Sequence, residues 1–204
     1  RARSVETAWP EVRVENIWAD FLREREPAKG PHAARDNSDP DAAARDLALR
    51  YELAVNPVYP MSGAAETIAA LRGSGCALGI ISNAQFFTPL LFEAFFGAPP
   101  EGLGFDPALI IWSFEMGEAK PAPRLFEKPA RLLEARGIAA ADCAFVGNDM
   151  LSDMYGAMRS GFRGVLFAGD SRSLRLREDD ERLRGLRPDR IIRGLAELAG
   201  PGKS

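Results

Sequence analysis

Short apolar segments alternate with helical segments from residue 64 onward, and this alternation constrains the fold more than any other feature of the sequence. Strands that alternate with helices predict an α/β fold, in which a parallel sheet carries helices on both faces. The first apolar run, ALGIIS at 77–82, is continuous, which is typical of a strand buried on both faces. The predicted strands occupy 77–82, 109–112, 143–147, 164–167 and 190–192, and the predicted helices occupy 64–72, 88–96, 123–136 and 151–160, with one more at the C-terminus.

The segment before residue 59 has a different pattern. Apolar residues in 11–25 recur at the spacing i, i+3, i+4, i+7 and i+8, which predicts an amphipathic helix. A loop with several Pro and Gly residues follows at 26–40, and Pro40 suits the first turn of a second helix. We therefore expect residues 1–58 to form a small all-helical module over one edge of the sheet, and residues 59–204 to form the α/β domain.

The composition excludes several classes of function. The 204-residue chain has a net charge of -3 and a pI near 5.4, which disfavours a nucleic-acid partner. No apolar stretch approaches the ~20 residues of a membrane span and no secretory signal opens the chain, so we expect a cytoplasmic protein without a membrane partner. The one histidine, His32, excludes a multi-histidine metal site. The two cysteines, Cys76 and Cys143, are too few for a cysteine zinc site and are expected as small buried hydrophobes.

The residues that follow the predicted strands are candidates for chemistry, because α/β sheets bind ligands at the carboxyl ends of their strands. Ser82 and Asn83 close the first strand, where a hydroxyl and an amide can donate hydrogen bonds to an anion. The alternative is a helix N-cap. Lys120, one of only four lysines, offers a compact positive charge for a phosphoryl group or a carboxylate. The alternative is a solvated loop lysine.

A pair of acids follows the strand predicted at 143–147. Asp149 and Asp153 are four residues apart, so they share one face if a helix begins there. Paired carboxylates favour a divalent cation, and Mg²⁺ prefers one or two carboxylates together with water and phosphate. The alternative is that both acids respond to the dipole at the N-terminus of the helix.

The joint order of these three motifs resembles that of the haloacid-dehalogenase-like hydrolases. IISNAQ resembles the family's second motif, a strand that ends in Ser or Thr. GEAKPAPRLFE resembles the third, a Lys followed by Pro-x-Pro, and FVGNDMLSD resembles the fourth, a strand followed by paired acids. The resemblance covers residues 59–170, and the leading helical segment resembles the family's helical cap. It implies a Rossmann-like parallel sheet with a small all-helical cap.

The resemblance also implies a function. It suggests a Mg²⁺-dependent phosphatase that acts on a small phosphorylated metabolite through an aspartyl-phosphate. Ser82 and Lys120 match catalytic positions of the family, and together with Asn83 they are the expected substrate-binding residues. Asp149 and Asp153 match the metal ligands. Asn148 stands where the family often has an Asp, so it is a candidate neighbouring ligand.

The family's first motif, an apolar strand that ends in Asp-x-Asp and carries the nucleophile, has no counterpart before Trp9. Asp20 lies inside the predicted amphipathic helix and lacks the strand context. We therefore expect the nucleophile to lie upstream of Arg1, and the sheet of this chain to lack its central strand. Two alternatives stay open: a 2-haloacid dehalogenase, which needs no metal, and a non-catalytic binding protein. The Phe-rich segment 86–96 is the candidate surface for a homodimer.

Overall fold

The computed structural model describes residues 7–25 and 40–200. His32 and the predicted loop up to residue 39 lie outside the described residues. Within the described residues, no helix has the length and apolar character needed to cross a membrane. The α-helices in this part of the chain are α1 (Val14–Arg25), α2 (Pro40–Val55), α3 (Ala64–Gly73), α4 (Thr88–Phe96), α5 (Pro100–Leu103), α6 (Ser113–Met116), α7 (Pro123–Glu134) and α8 (Gly156–Arg159).

All strand pairs in the described residues are parallel, as the alternation of strands and helices predicted. The strands are β1 (Leu78–Ser82), β2 (Phe105–Trp112), β3 (Ala144–Gly147), β4 (Arg163–Phe167) and β5 (Arg190–Ile192). They form two separate groups, β1–β2 and β3–β4–β5, which we call the first and second half-sheets. The α/β fold with parallel strands is thereby confirmed, with the sheet divided in two.

An apolar cavity of about 100 Å³ separates the two half-sheets. It is lined by Gly79 and Ile81 of β1 and by Ala144 and Phe145 of β3, with Leu133 of α7 among the remaining lining residues. We call this cavity the slot. Its two walls are the strand edges at which the half-sheets would join, and within the described residues β1 pairs only with β2 and β3 only with β4. This is the division expected of a sheet that lacks a central strand in this chain.

The slot explains why burial was over-predicted for β1. The strand was expected to be buried on both faces, but Gly79 is exposed and its other residues are only half-buried. Cys76, expected to be buried, is exposed, and Cys143 is half-buried where it lines the slot. Among the described residues, β1 has a neighbouring strand on one side only, and its other edge borders the slot.

The main core lies where α7 packs beside the slot. Leu125 and Phe126 of α7 are fully buried, and the Phe126 ring meets Phe145 edge-on at 5.3 Å between centroids. Gly156 permits this approach, because a Cβ at that position would overlap the Phe126 ring. The core thus fixes α7, and with it the loop before α7 that contains Lys120.

Two of the predicted helices are wrong in detail. The helix expected at 151–160 is a π-helical turn over Met150–Tyr155, with Asp149 as its N-cap, followed by the short α8. The helix expected at the C-terminus is a single 3-10 turn, Leu195–Leu198. The other 3-10 turns are Ala140–Asp142 and Glu181–Leu183.

The helices α1 and α2 pack against each other through Trp18 and Tyr51, whose ring centroids are 5.2 Å apart. Gln85, just after β1, ties α1 to the α/β part of the chain: its side chain accepts a hydrogen bond from the Val14 N–H at 2.9 Å and donates one to the Val12 carbonyl at 2.8 Å. These contacts place the helical pair over the carboxyl end of β1. The domain boundary at residue 58 stays a prediction.

Candidate active site

Asn83 positions the backbone of Lys120. Its side-chain Oδ1 accepts a hydrogen bond from the Lys120 N–H at 2.6 Å, and its Nδ2 donates to the Lys120 carbonyl at 3.4 Å. The neighbouring Ser82 is half-buried, and its hydroxyl makes one long contact of 3.4 Å with the Asn83 carbonyl. The Ser82 hydroxyl is therefore weakly held, whereas the Asn83 side chain connects the end of β1 to the loop before α7.

Lys120 joins the two half-sheets. Its backbone is held by Asn83 from the first half-sheet, and its Nζ donates to Asp153 Oδ1 of the second at 2.6 Å. The Nζ also lies 5.5 Å from the centre of the Phe145 ring. The side chains of Lys120 and Asp153 are only 12% and 6% exposed. The solvated-loop alternative for Lys120 is therefore wrong: the ammonium is buried in an ion pair at the carboxyl end of the slot.

Asp153 is held by the backbone as well as by Lys120. Its Oδ2 accepts hydrogen bonds from the N–H groups of Asn148 and Asp149 at 2.9 and 3.0 Å. The carboxylate sits directly over Gly147, where any Cβ would overlap it. The glycine that ends β3 therefore creates the space that this buried acid occupies.

Asp149 is the N-cap of the π-helical turn. Its Oδ1 accepts from the N–H groups of Leu151 and Ser152 at 2.8 and 2.9 Å. Its Oδ2 accepts from Nε and Nη2 of Arg177 at 3.1 and 2.7 Å. Through Oδ1, Asp149 thus satisfies two backbone donors at the start of the turn, as an N-cap residue does. Oδ2 is engaged by a side chain from a distant loop.

The contacts of Asp149 set its charge state. Burial acts to raise the pKa of Asp149, but the hydrogen bonds from Arg177 and from the backbone N–H groups of Ser152 and Leu151 outweigh it and hold the pKa below its ordinary value. The hydrogen bond to Asp149 raises the pKa of Arg177. Both groups are therefore charged at neutral pH.

Asp149 and Asp153 are the candidate ligands for Mg²⁺. Among the described residues, no group of three or more His, Cys, Asp and Glu side chains gathers as a metal site. Two buried carboxylates are what Mg²⁺ requires of a protein when phosphate and water complete its shell, so Asp149 and Asp153 fit the ion in type and number. Asn148 is adjacent, but its amide nitrogen is engaged with the Ser173 carbonyl at 2.5 Å.

A cavity of about 670 Å³ opens beside Asn83, between α2 and the residues that follow β1. Leu49, Leu53 and Tyr59 line it on one side and Phe87 on the other. A cavity of this size takes a small metabolite.

Arg177 is the site residue that the sequence did not reveal. It lies in the irregular, Arg-rich stretch between β4 and β5, and its partner Asp149 is 28 residues away. Its φ of 56° is the one positive value among the described non-glycine residues. No short-range pattern signals such a residue, because both the turn and the pairing depend on the loop folding back onto β3.

Comparison with known proteins identifies the family. The family model for haloacid dehalogenase-like hydrolases matches residues 4–161. Phosphoserine phosphatase of Thermus thermophilus is 33% identical over 150 residues, which cover 72% of this chain and 55% of the relative. Ribulose-1,5-bisphosphate 5-phosphatase of Halopiger xanaduensis is 30% identical over 137 residues, which cover 66% of this chain and 53% of the relative. The chain thus spans about half the length of these relatives.

Solved structures agree on the fold. The 2-haloacid dehalogenase of Pseudomonas syringae pv. Tomato DC3000 superposes with a TM-score of 0.56 at 19% identity, covering 91% of this chain and 67% of that one. YfnB of Bacillus subtilis, described as a HAD hydrolase and bound to magnesium, gives 0.53 at 19% identity, covering 91% and 68%. With the matched family model, the parallel half-sheets and the three motifs gathered at their carboxyl ends, the chain belongs to the haloacid dehalogenase-like hydrolases.

Proposed function

We propose that the protein is a phosphoric monoester hydrolase that acts on a small phosphorylated metabolite. The observation that carries the proposal is the continuous set of contacts from Asn83 through Lys120 to Asp153, which brings an ammonium and buried carboxylates together at the end of the slot. The two phosphatases among the relatives support phosphate esters as the substrate class.

In this proposal the phosphate is bound by groups from both half-sheets. The Ser82 hydroxyl, which has only a long contact of its own, donates to a phosphoryl oxygen. The Lys120 ammonium neutralises both the phosphate and the attacking carboxylate, so that two anions can approach each other. Asn83 acts on the reaction by holding the Lys120 backbone in place, and it lies close enough to donate to the substrate as well.

The nucleophile of this proposal lies upstream of Arg1, on a strand that fills the slot. Such a strand, parallel to β1 and β3, would end at the same edge of the sheet as Lys120 and Asp153. Its terminal aspartate would attack phosphorus and expel the alcohol, and water would then hydrolyse the aspartyl-phosphate to release inorganic phosphate. Asp20, the first aspartate of the sequence, pairs with Arg23 on the exposed face of α1 and fits no such role.

Mg²⁺ is the cofactor of this proposal, with Asp149 and Asp153 as its protein ligands and Asn148 beside them. When bound, the ion would supply positive charge that attracts the phosphate and offsets charge that develops during transfer. The buried position of both acids limits access of water to this end of the slot. The magnesium-bound structural relative is consistent with this assignment.

The rest of the substrate would occupy the cavity beside Asn83, with residues 1–58 as a cap that covers it. The apolar side chains of that cavity would exclude water from the reacting phosphate and select the alcohol portion. A cytoplasmic location, the absence of nucleic-acid and membrane partners, and a homodimer contact along 86–96 stay predictions. In α4, Leu90 and Phe95 are 51% and 40% exposed, which is compatible with such a contact.

The test uses the protein together with the residues that precede Arg1 in its gene. A panel of phosphorylated metabolites is assayed for phosphate release in the presence of Mg²⁺ and of EDTA. We expect turnover that disappears with EDTA, and that also disappears in Asp153→Asn and Lys120→Met. Phosphate release that is unaffected by Lys120→Met would contradict the proposed site.

A 2-haloacid dehalogenase is the second candidate. The observation that favours it is that Asp149 and Asp153 are each already paired with a basic side chain, as a site without a metal would require. The same panel separates the two: halide release from a 2-haloacid in EDTA, without phosphatase activity, would establish the dehalogenase.

A further inference from the structure

Asp149 has no acceptor capacity left for a metal ion. A carboxylate offers about four lone-pair sites, and Asp149 uses four: two N–H groups of the π-helical turn on Oδ1 and two N–H groups of Arg177 on Oδ2. Asp153 differs, because among the described residues Oδ1 has Lys120 as its one partner. A cation can therefore reach Asp149 only if one of its donors leaves.

Arg177 is the donor that can leave. The N–H groups of Leu151 and Ser152 belong to the backbone of a buried turn, and the turn would have to unwind to release them. The Arg177 side chain, in contrast, is 46% exposed and ends a long flexible stem on a surface loop. Its guanidinium would exchange Asp149 for water at little cost.

The loop does not need the ion pair to stay in place. The Arg175 N–H donates to the Asn148 carbonyl at 2.9 Å, and the Met150 N–H donates to the Arg175 carbonyl at 2.8 Å. The Asn148 side chain adds its bond to the Ser173 carbonyl. Arg177 can therefore swing away from Asp149 while the loop remains fixed to the end of β3.

We propose that Arg177 and a divalent cation are alternative partners of Asp149 Oδ2, so that the arginine closes the metal site until the cation displaces it. The proposal rests on the metal site of the proposed function and adds a residue that sets its affinity. Arg177 is a competitor for the ligand, and removing it strengthens cation binding. A merely structural arginine would have the opposite effect, because its loss would loosen the acid it holds.

The experiment uses the same extended protein and measures Mg²⁺ binding by calorimetry and by the Mg²⁺-dependent rise in melting temperature, so it needs no catalytic turnover. Arg177→Gln removes the competitor. Arg177→Gly does the same and suits the backbone φ of 56°, so it guards against misfolding. Arg184→Gln is the matched control, since it removes one positive charge from an exposed pair with Glu181 in the same part of the chain.

We expect both Arg177 variants to bind Mg²⁺ about fivefold more tightly than the wild type, the size expected when a half-exposed ion pair stops competing. Arg184→Gln should match the wild type, and Asp149→Asn should remove the gain when combined with Arg177→Gln. Equal or weaker Mg²⁺ binding in the Arg177 variants would overturn the inference and leave the metal site standing. No binding in any form would overturn both the inference and the metal site.

Discussion

The two acids of the π-helical turn, Asp153 and Asp149, differ in how they pair with a basic side chain. Asp153 and Lys120 are both buried, and the pair connects one half-sheet to the other. Asp149 is buried too, but Arg177 approaches it from the surface and stays nearly half exposed. Both are pairs of a carboxylate with a basic side chain, but the Lys120–Asp153 pair is a structural junction and the Arg177–Asp149 pair is an exchangeable contact. The burial of the basic side chain is what distinguishes them.

The largest effect is expected from Asp153→Asn. The substitution leaves the Lys120 ammonium without its partner at 12% exposure, and an unpaired buried charge costs about 3 kcal/mol in the free energy of unfolding. Urea unfolding measures this loss. The control is Asp20→Asn, which breaks an equally short but exposed pair with Arg23 and should cost less than about 0.5 kcal/mol. Similar losses of unfolding free energy in the two variants would show that burial of the Lys120–Asp153 pair does not set its contribution to stability.

A methyl group at Gly147 should disrupt the ion pair between Lys120 and Asp153. The Cβ of Gly147→Ala would overlap the Asp153 carboxylate, which would have to leave Lys120 or push the backbone aside. We expect a loss of about 2 kcal/mol in the free energy of unfolding, the range of an overpacked interior. Gly73→Ala, at a helical glycine with open space around it, should be neutral or slightly stabilising. If Gly147→Ala were as benign as Gly73→Ala, Asp153 would not be confined as described.

Double-mutant cycles compare the two pairs directly. For Lys120→Met with Asp153→Asn we expect a coupling energy of about 2 kcal/mol, since both charges are buried. For Arg177→Gln with Asp149→Asn we expect about 0.5 to 1 kcal/mol, because solvent screens the guanidinium. Thermal or urea unfolding of the single and double variants gives both values. A stronger coupling for Arg177 than for Lys120 would reverse the assignment of the structural and the exchangeable pair.

The sequence predicted the residues of the Lys120–Asp153 pair but did not reveal Arg177 as the partner of Asp149. Helix α4 begins and ends where its pattern indicated, and Asn83, Lys120 and Asp153 meet at the carboxyl ends of the strands, as the order of the motifs indicated. These residues could be predicted because each lies just after a strand or just before a helix, and the carboxyl ends of parallel strands meet at one edge of the sheet. Arg177 could not be found in this way, since its contact with Asp149 depends on an irregular loop that returns to the residues after β3 and on the positive φ of Arg177 itself.

The burial of β1 is a second feature that the local sequence pattern could not predict. Its apolar run correctly indicated a strand, but how deeply a strand is buried depends on its neighbours. Ile81 lines the slot because, among the described residues, no strand pairs with β1 on that side. A pattern read within one segment carries no information about a neighbouring segment, and that is why the strand was predicted and its exposure was not.

The smallest expected effect is the pH dependence of the Arg177 pair. The pKa of Asp149 is lower in the folded state than its ordinary value of 3.8, so its contribution to stability is fully present above that pH and is lost as the pH falls through the lower, folded pKa. Arg177→Gln removes one cause of the lowered pKa. The stability difference between wild type and variant, about 0.5 kcal/mol at pH 6, should therefore shrink below about pH 4, because protonated Asp149 no longer attracts the guanidinium.

Urea unfolding of both proteins between pH 3 and pH 6 measures this, with Arg184→Gln as the control that should track the wild type throughout. A difference that persisted at pH 3 would mean that Arg177 stabilises the loop by packing, and the contrast with Lys120 would then rest on contacts other than charge.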